Sequence, residues 1–307
     1  MFISLVFVIF CFDLDFFSQI YVYNQMFQII FIFTLCCVIF CSRDFFSSRL
    51  IVKFEYDILI LFFCLSAIAL CFADDFLTFY LAIELQSLVL YIFASFNRNS
   101  EFSIEAGLKY FVFGGIISCF LIFGITLIYL IFGSTNFEII ASMIFLQNDS
   151  LWFIGILFIL IALLFKIGAV PFHSWLCDVY DGSMLIVTML FSSAPKIILY
   201  SFVIKFCFLI FFDFSLIWSN IFVCVSLLSI AVGSISALYQ KRVKRLFAYS
   251  TIAHTGFILL GVVCCSLQSV KAMSVYIIIY SILTITTFAF LLNSSIANHN
   301  YPKFLTN

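Results

Sequence analysis

Charge is scarce in this sequence. Only 9% of its 307 residues are Asp, Glu, Lys or Arg, against about a quarter in soluble domains. With 65% hydrophobic residues, that scarcity excludes a soluble globular chain and points to a polytopic membrane protein. A net charge of −1, with no basic arm, leaves no electrostatic footprint for nucleic acid. Prolines number three, so each one inside an apolar run carries weight. No CxxC spacing occurs, and no cysteine has a histidine in register for zinc or an iron–sulfur cluster. The twelve cysteines, among them Cys36, Cys37, Cys41, Cys264 and Cys265, are read as small apolar core residues. The first twelve residues are apolar without a basic region or a small-residue cleavage site, so no cleavable signal is expected.

What is present is a succession of apolar runs, each near the roughly 20 residues that cross a bilayer as a helix. They cover about 2–17, 20–41, 57–73, 76–96, 104–132, 151–180, 183–212, 216–238, 246–264 and 272–293. The first is marred by Asp13 and Asp15, and the 151–180 run is too long for one straight helix and holds Pro171. The expected fold is therefore all-α: a single membrane domain over 1–307, a bundle of about ten transmembrane helices with one helix broken near Pro171. Nine basic residues fall on one side of that arrangement: Arg43, Arg49, Lys53, Arg98, Lys241, Arg242, Lys244, Arg245 and Lys303. The other side has Lys271 with Asp74, Asp75, Glu138 and Asp149. The basic side is expected to face a bacterial cytosol or a mitochondrial matrix.

A few ionisable residues remain at membrane depth, where they are costly and mark function by default. Glu84 lies in FYLAIELQSL, Lys166 five residues before Pro171, Lys196 immediately after Pro195, and His254 among Ser250, Thr251 and Thr255. A carboxylate near an amine favours the charged amine, and separating the two favours the neutral form. A chain of glutamate, lysines and histidine with water between them can thus load and unload protons. The bland readings stand beside this one. Glu84 and the two lysines can be structural ion pairs, and His254 a hydrogen-bonded core histidine. Lys205 is read as reaching along its stem to the far interface. Glu105 and Lys109 are read as an i, i+4 helix pair, His173 as structural at the broken helix, and KRVKR (241–245) as a topology signal.

Five segments carry a family resemblance: FYLAIELQSL (79–88), RNSEFSIEAGLKYF (98–111), LLFKIGAVPFHSWLCDVYDGS (163–183), SAPKI (193–197) and KRLFAYSTIAHTGF (244–257). In this order and spacing the chain resembles the antiporter-like subunits of respiratory NADH–ubiquinone oxidoreductase (complex I), of the chain 2 kind, a family shared with multi-subunit cation/proton antiporters. The likeness covers roughly residues 75 to 290. It implies a proton-translocating membrane-arm subunit of the mitochondrial inner membrane, basic loops toward the matrix, with Glu84, Lys166, Lys196 and His254 on the proton path. It also implies inverted repeats of five helices: a first over about 56–212 holding a half-channel, and a partial second over about 213–293. NADH, FMN, iron–sulfur clusters and ubiquinone are then expected in other subunits, with no cofactor in this chain. Partners are expected to be other membrane-arm subunits and lipids. Against the family pattern the chain is expected to lack the first helix and the helices after the eleventh, which a separate polypeptide would supply. Two alternatives stay open: a subunit of a cation/proton antiporter, and a structural scaffold that does not pump.

Overall fold

A computed structural model describes residues 16–48, 54–144 and 151–297, which form helices with no strands among them. The expected 2–17 span lies almost wholly outside these residues, and Asp13, Asp15, Arg49, Lys53, Asp149 and Lys303 do so entirely. In chain order the helices are α1 (Phe16–Ser48), α2 (Phe54–Cys71), α3 (Phe76–Ala94), α4 (Glu101–Phe132) and α5 (Phe137–Met143). There follow α6 (Leu151–Ile167), α7 (Ser174–Gly182), α8 (Leu185–Lys205), α9 (Ser215–Leu238), α10 (Val243–Val263) and α11 (Leu267–Ala297). Eight of the described helices are long and apolar enough to cross a membrane, and α6 is a shorter apolar helix.

The apolar character of these helices does not by itself say which face turns inward. On α2 the buried residues include Tyr56, Ile60, Phe63, Ala67 and Leu70, while Leu61, Leu65 and Ile68 point outward. Both stripes are oily, because lipid is as apolar as the core. Association then rests on close packing and on internal hydrogen bonds. Aromatic contacts supply much of the packing: Phe79 stacks on Phe202 with centroids 3.8 Å apart, and Tyr110 on Trp175 at 4.5 Å. Where α4 meets α6, Gly124 and Gly155 face one another so closely that a Cβ on Gly124 would come within 2.7 Å of the Gly155 carbonyl.

Helix α8 is the hub. Every residue from Leu185 to Lys205 is buried, and α1, α2, α6 and α11 pack around it. A helix so enclosed must satisfy its polar groups internally. Thr188 donates to Leu185 O, and Ser192 and Ser193 both donate to Met189 O. Ser201 donates to Asn24 Oδ1, and Asn24 Nδ2 donates to Cys71 O, so one amide ties α1 to both α8 and α2. Past Lys205 the helix widens into a π-turn at Phe206–Ile210 and a 3-10 turn at Phe212–Phe214.

The 151–180 run is divided, but the division begins before Pro171. α6 ends at Ile167, and Gly168 adopts a left-handed φ of 81°. Gly168 N donates to Leu164 O and Phe165 O, and Ala169 N to Leu164 O, the hydrogen-bond pattern of a glycine-terminated helix. Two of the groups at the break find partners outside the helix ladder. Phe165 O accepts from Trp175 Nε1 at 3.0 Å, and Val170 N donates to Ser229 Oγ on α9, also at 3.0 Å. A Cβ at position 168 would lie 2.5 Å from Leu176 Cδ1. Gly168→Ala is therefore expected to lower the thermal midpoint of the purified assembly, the left-handed backbone alone costing about 1–2 kcal/mol of stability. An unchanged midpoint would show that the break is set elsewhere.

Candidate functional site

Glu84 sits in the middle of α3, at the end of one turn whose Ser87 hydroxyl donates to Glu84 O at 2.9 Å and lies 3.4 Å from Oε2. Lys166 occupies the penultimate position of α6, immediately before the break. The two meet: Lys166 Nζ is 3.7 Å from Glu84 Oε1, with the lysine side chain 5% exposed and the glutamate 22%. That separation is an ion pair but longer than a direct hydrogen bond, and neither Nζ nor Oε1 has a hydrogen-bond partner in the protein. A charged contact of this length is bridged readily by one water.

Lys196 follows Pro195, whose missing N–H leaves Phe191 O without its normal helical donor. Its Nζ is buried and has no hydrogen-bond partner in the protein. Lys166 and Lys196 line the same enclosed cavity of about 20 Å³, together with Gln86, Ser87, Tyr110 and Tyr180. That volume accommodates about one water molecule, and the wall supplies hydroxyls and an amide rather than only hydrocarbon. The helix break and Pro195 thus bring two amines to one small, largely apolar chamber with a few polar groups on its wall, with the Glu84 carboxylate paired to the first of them.

His254 does not line this chamber. It lies on α10, where Nδ1 is 2.7 Å from the Tyr276 hydroxyl and its ring is 5.2 Å from that of Tyr280. Tyr280 OH donates to Ser192 O on α8, one turn before Lys196. Between the chamber and His254 thus stand α8 and the α11 tyrosines Tyr276 and Tyr280. Those tyrosines carry no sequence signal beyond their apolar surroundings.

Two further groups of charges stand near the ends of the helices. In the first, at Asp74 and Asp75, Lys205 Nζ lies 2.7 Å from Asp74 Oδ1 and also donates to Ala73 O. In the second, Asp181 Oδ2 receives Arg242 Nη1 at 2.6 Å and Arg245 Nε at 2.8 Å, while Lys244 Nζ donates to Ser183 O at 2.7 Å. Asp178 lies 3.2 Å from Lys109, which also pairs with Glu105 at 2.8 Å. KRVKR is thus a clamp on α7 as well as a run of positive charge. Sequence reasoning missed the acidic half of that clamp, because the partners are about sixty residues apart. His173 precedes α7 as its N-cap residue, and its side chain forms no cap hydrogen bond.

Comparison with known proteins agrees with this architecture. A family model described as NADH:quinone oxidoreductase/Mrp antiporter, TM, matches residues 73–305. NADH-ubiquinone oxidoreductase chain 2 of Marchantia polymorpha is 42% identical over 227 residues, covering 72% of this chain and 46% of that protein. NADH-quinone oxidoreductase subunit N 1 of Rhizobium meliloti is 39% identical over 221 residues, with the same two shares. The chain spans about half the length of the curated relatives it matches. A chain in the structure of respiratory complex I from Thermus thermophilus with bound aureothin superposes with a TM-score of 0.72 at 27% identity, covering 87% of this chain and 56% of that one. A chain of the Mrp complex from a Dietzia species shares the fold, with a TM-score of 0.77 at 20% identity, covering 88% and 49%.

Proposed function

This chain belongs to the NADH:quinone oxidoreductase/Mrp antiporter family of membrane proteins, and from that premise we propose that it is a proton-translocating membrane-arm subunit of respiratory complex I. Glu84, Lys166, Lys196 and His254 carry the proton path in this reading. The chain binds no redox group itself: NADH, FMN, iron–sulfur clusters and ubiquinone belong to other subunits, whose quinone chemistry drives the proton movement. Its partners are other membrane-arm subunits. Its place is the mitochondrial inner membrane, with the Arg98 and Arg242–Arg245 end toward the matrix, and the relatives named as chain 2 of a ubiquinone-using enzyme support that placement. Residues about 56–212 act as a five-helix unit with one half-channel, and about 213–293 as part of a second.

One observation carries the reading: a carboxylate–amine pair at 3.7 Å beside a helix break, with a second buried amine on the same water-sized chamber. An amine holds its proton more firmly beside a carboxylate than away from one, and a tenfold change in proton affinity takes only about 1.4 kcal/mol. Sub-ångström movement of α6 against α3 changes the Glu84–Lys166 separation and so loads or unloads the chamber. Water passes the proton toward Lys196, oriented by the Gln86 amide and the Ser87 hydroxyl. The tyrosines of α11 then connect α8 to His254.

The test is Lys166→Ala in the assembled complex, reconstituted in vesicles. The number of protons moved per NADH oxidised is expected to fall, with electron transfer from NADH to a quinone persisting when the vesicles are uncoupled. An unchanged ratio would make the chain a scaffold. An assembly unable to oxidise NADH with a quinone would assign it to an antiporter instead.

A further inference from the structure

Between α2, α3 and α4, at the end of the bundle that carries Arg98, lies an open groove of about 650 Å³ that no step of the proton path uses. Its size falls in the range of small-molecule sites. The walls are apolar and outward-facing: Ile58 on α2, Ile92 on α3, and Leu108 and Phe111 on α4 are all large, exposed hydrophobic residues. From Ile104 to Phe111 the groove follows α4 for about 10 Å along the helix axis, the direction in which an acyl chain descends into a bilayer. At its mouth stand one cation and one anion, Arg98 and Glu55.

The geometry of that pair decides the ligand. A single guanidinium nitrogen, Arg98 Nη2, reaches both carboxylate oxygens of Glu55 at 3.2 Å each. Arginine has five N–H donors in a planar fork, so the donors on Nη1 and Nε remain available to a phosphate, which this fork matches in two-point fashion. The Glu55 carboxylate keeps acceptor capacity for an ammonium. Both side chains are well exposed, at 79% and 43%, and an exposed ion pair contributes at most about 1 kcal/mol. It opens at little cost to admit a headgroup. A headgroup with an anionic phosphate and a cationic amine a few ångströms apart matches this pair, whereas a purely anionic headgroup would meet the Glu55 charge.

We propose that this groove binds one zwitterionic phospholipid of the phosphatidylethanolamine class, its phosphate on Arg98, its ammonium on Glu55 and an acyl chain against Ile58, Ile92, Leu108 and Phe111. The site is separate from the proton chamber and does not depend on the function proposed above.

The experiment is native mass spectrometry of the intact membrane assembly, delipidated and then supplied with phosphatidylethanolamine or phosphatidylglycerol of the same acyl composition. The wild type is expected to retain one phosphatidylethanolamine in preference to phosphatidylglycerol. Arg98→Gln and Ile92→Trp, both at exposed positions, are expected to reduce that retention at least tenfold. Glu55→Gln is expected to reverse the preference toward phosphatidylglycerol, an outcome a merely weakened groove would not give. Equal retention in all four proteins would overturn the proposal, as would an anionic preference in the wild type. A photoreactive residue at Leu108 that captures a neighbouring polypeptide rather than lipid would equally overturn it.

Discussion

Glu84→Ala is expected to destabilise the bundle by about 3 kcal/mol and to remove proton transfer, whereas Glu84→Ala combined with Lys166→Met restores stability without restoring transfer. Buried ion pairs respond asymmetrically to substitution. Removing one partner leaves an uncompensated charge and costs about 3–5 kcal/mol, while replacing both by apolar groups of similar size is often neutral or favourable. Lys166 is almost wholly enclosed and Glu84 is its only ion-pair partner among the described residues, with 22% of the glutamate side chain still exposed. That residual exposure places the cost at the lower end of the range. The two measurements, thermal unfolding of the purified assembly and protons moved per NADH, separate the bland role of the pair from the functional one. If stability and transfer recover together in the double variant, the pair is structural and the path runs elsewhere. If the single substitution leaves stability unchanged, Lys166 releases its proton in place of losing its partner, and the 3.7 Å contact is weaker than its geometry implies.

How far the sequence revealed this site depends on the range over which each signal acts. Glu84, Lys166 and Lys196 stand out because each is a charge inside an apolar run, a contrast visible within twenty residues. The meeting of the two lysines at one chamber, with Glu84 paired to Lys166, is a tertiary fact, but the breaks that allow it are local. Even there the local signal falls a few residues late: Pro171 marks the break in sequence, yet the helix stops at Gly168, whose left-handed backbone and contact with Leu176 only glycine fits. Asp74 as the partner of Lys205 required knowing that α8 runs back to the α2–α3 turn, 131 residues away in sequence. The short α5, capped by the Asn136 side chain accepting from Glu138 N and Ile139 N, was hidden because seven residues are too few for a periodic signal. Tyr276 and Tyr280 were invisible for a different reason. In a chain with 14 tyrosines and 45 phenylalanines, an aromatic residue in an apolar helix says nothing about where its hydroxyl points.

The second large effect is expected at Asp181, which is not itself one of the proposed proton-carrying residues. α10 opens with Val243, Lys244 and Arg245, so cations occupy a helix N-terminus, where the helix dipole disfavours them. α7 ends with Asp181 and Gly182, so an anion occupies a C-terminus, which is equally unfavourable. Each end corrects the other. Asp181 takes Arg242 and Arg245 on one oxygen, and Lys244 donates to the terminal carbonyls of Asp181 and Ser183, satisfying groups that a helix end leaves unpaired. Asp181→Asn keeps the shape but removes the one ion-pair partner of Arg242 among the described residues, leaving three cations at that helix end with a weaker anionic counterpart. Asp178 remains 3.6 Å from Arg245, which limits but does not cancel the loss. The expected cost is about 2–4 kcal/mol, in line with breaking a hydrogen-bonded charge pair that is partly buried. Because α7 is the second half of the broken helix and α10 carries His254, the clamp joins the two ends of the proposed path mechanically. Amide hydrogen exchange in α7 is therefore expected to accelerate in the variant, and protons moved per NADH to fall, although Glu84, Lys166, Lys196 and His254 are untouched. Faster exchange with an unchanged proton ratio would show that the clamp only stabilises the fold, and that the movement of α6 against α3 needs no anchor on α10.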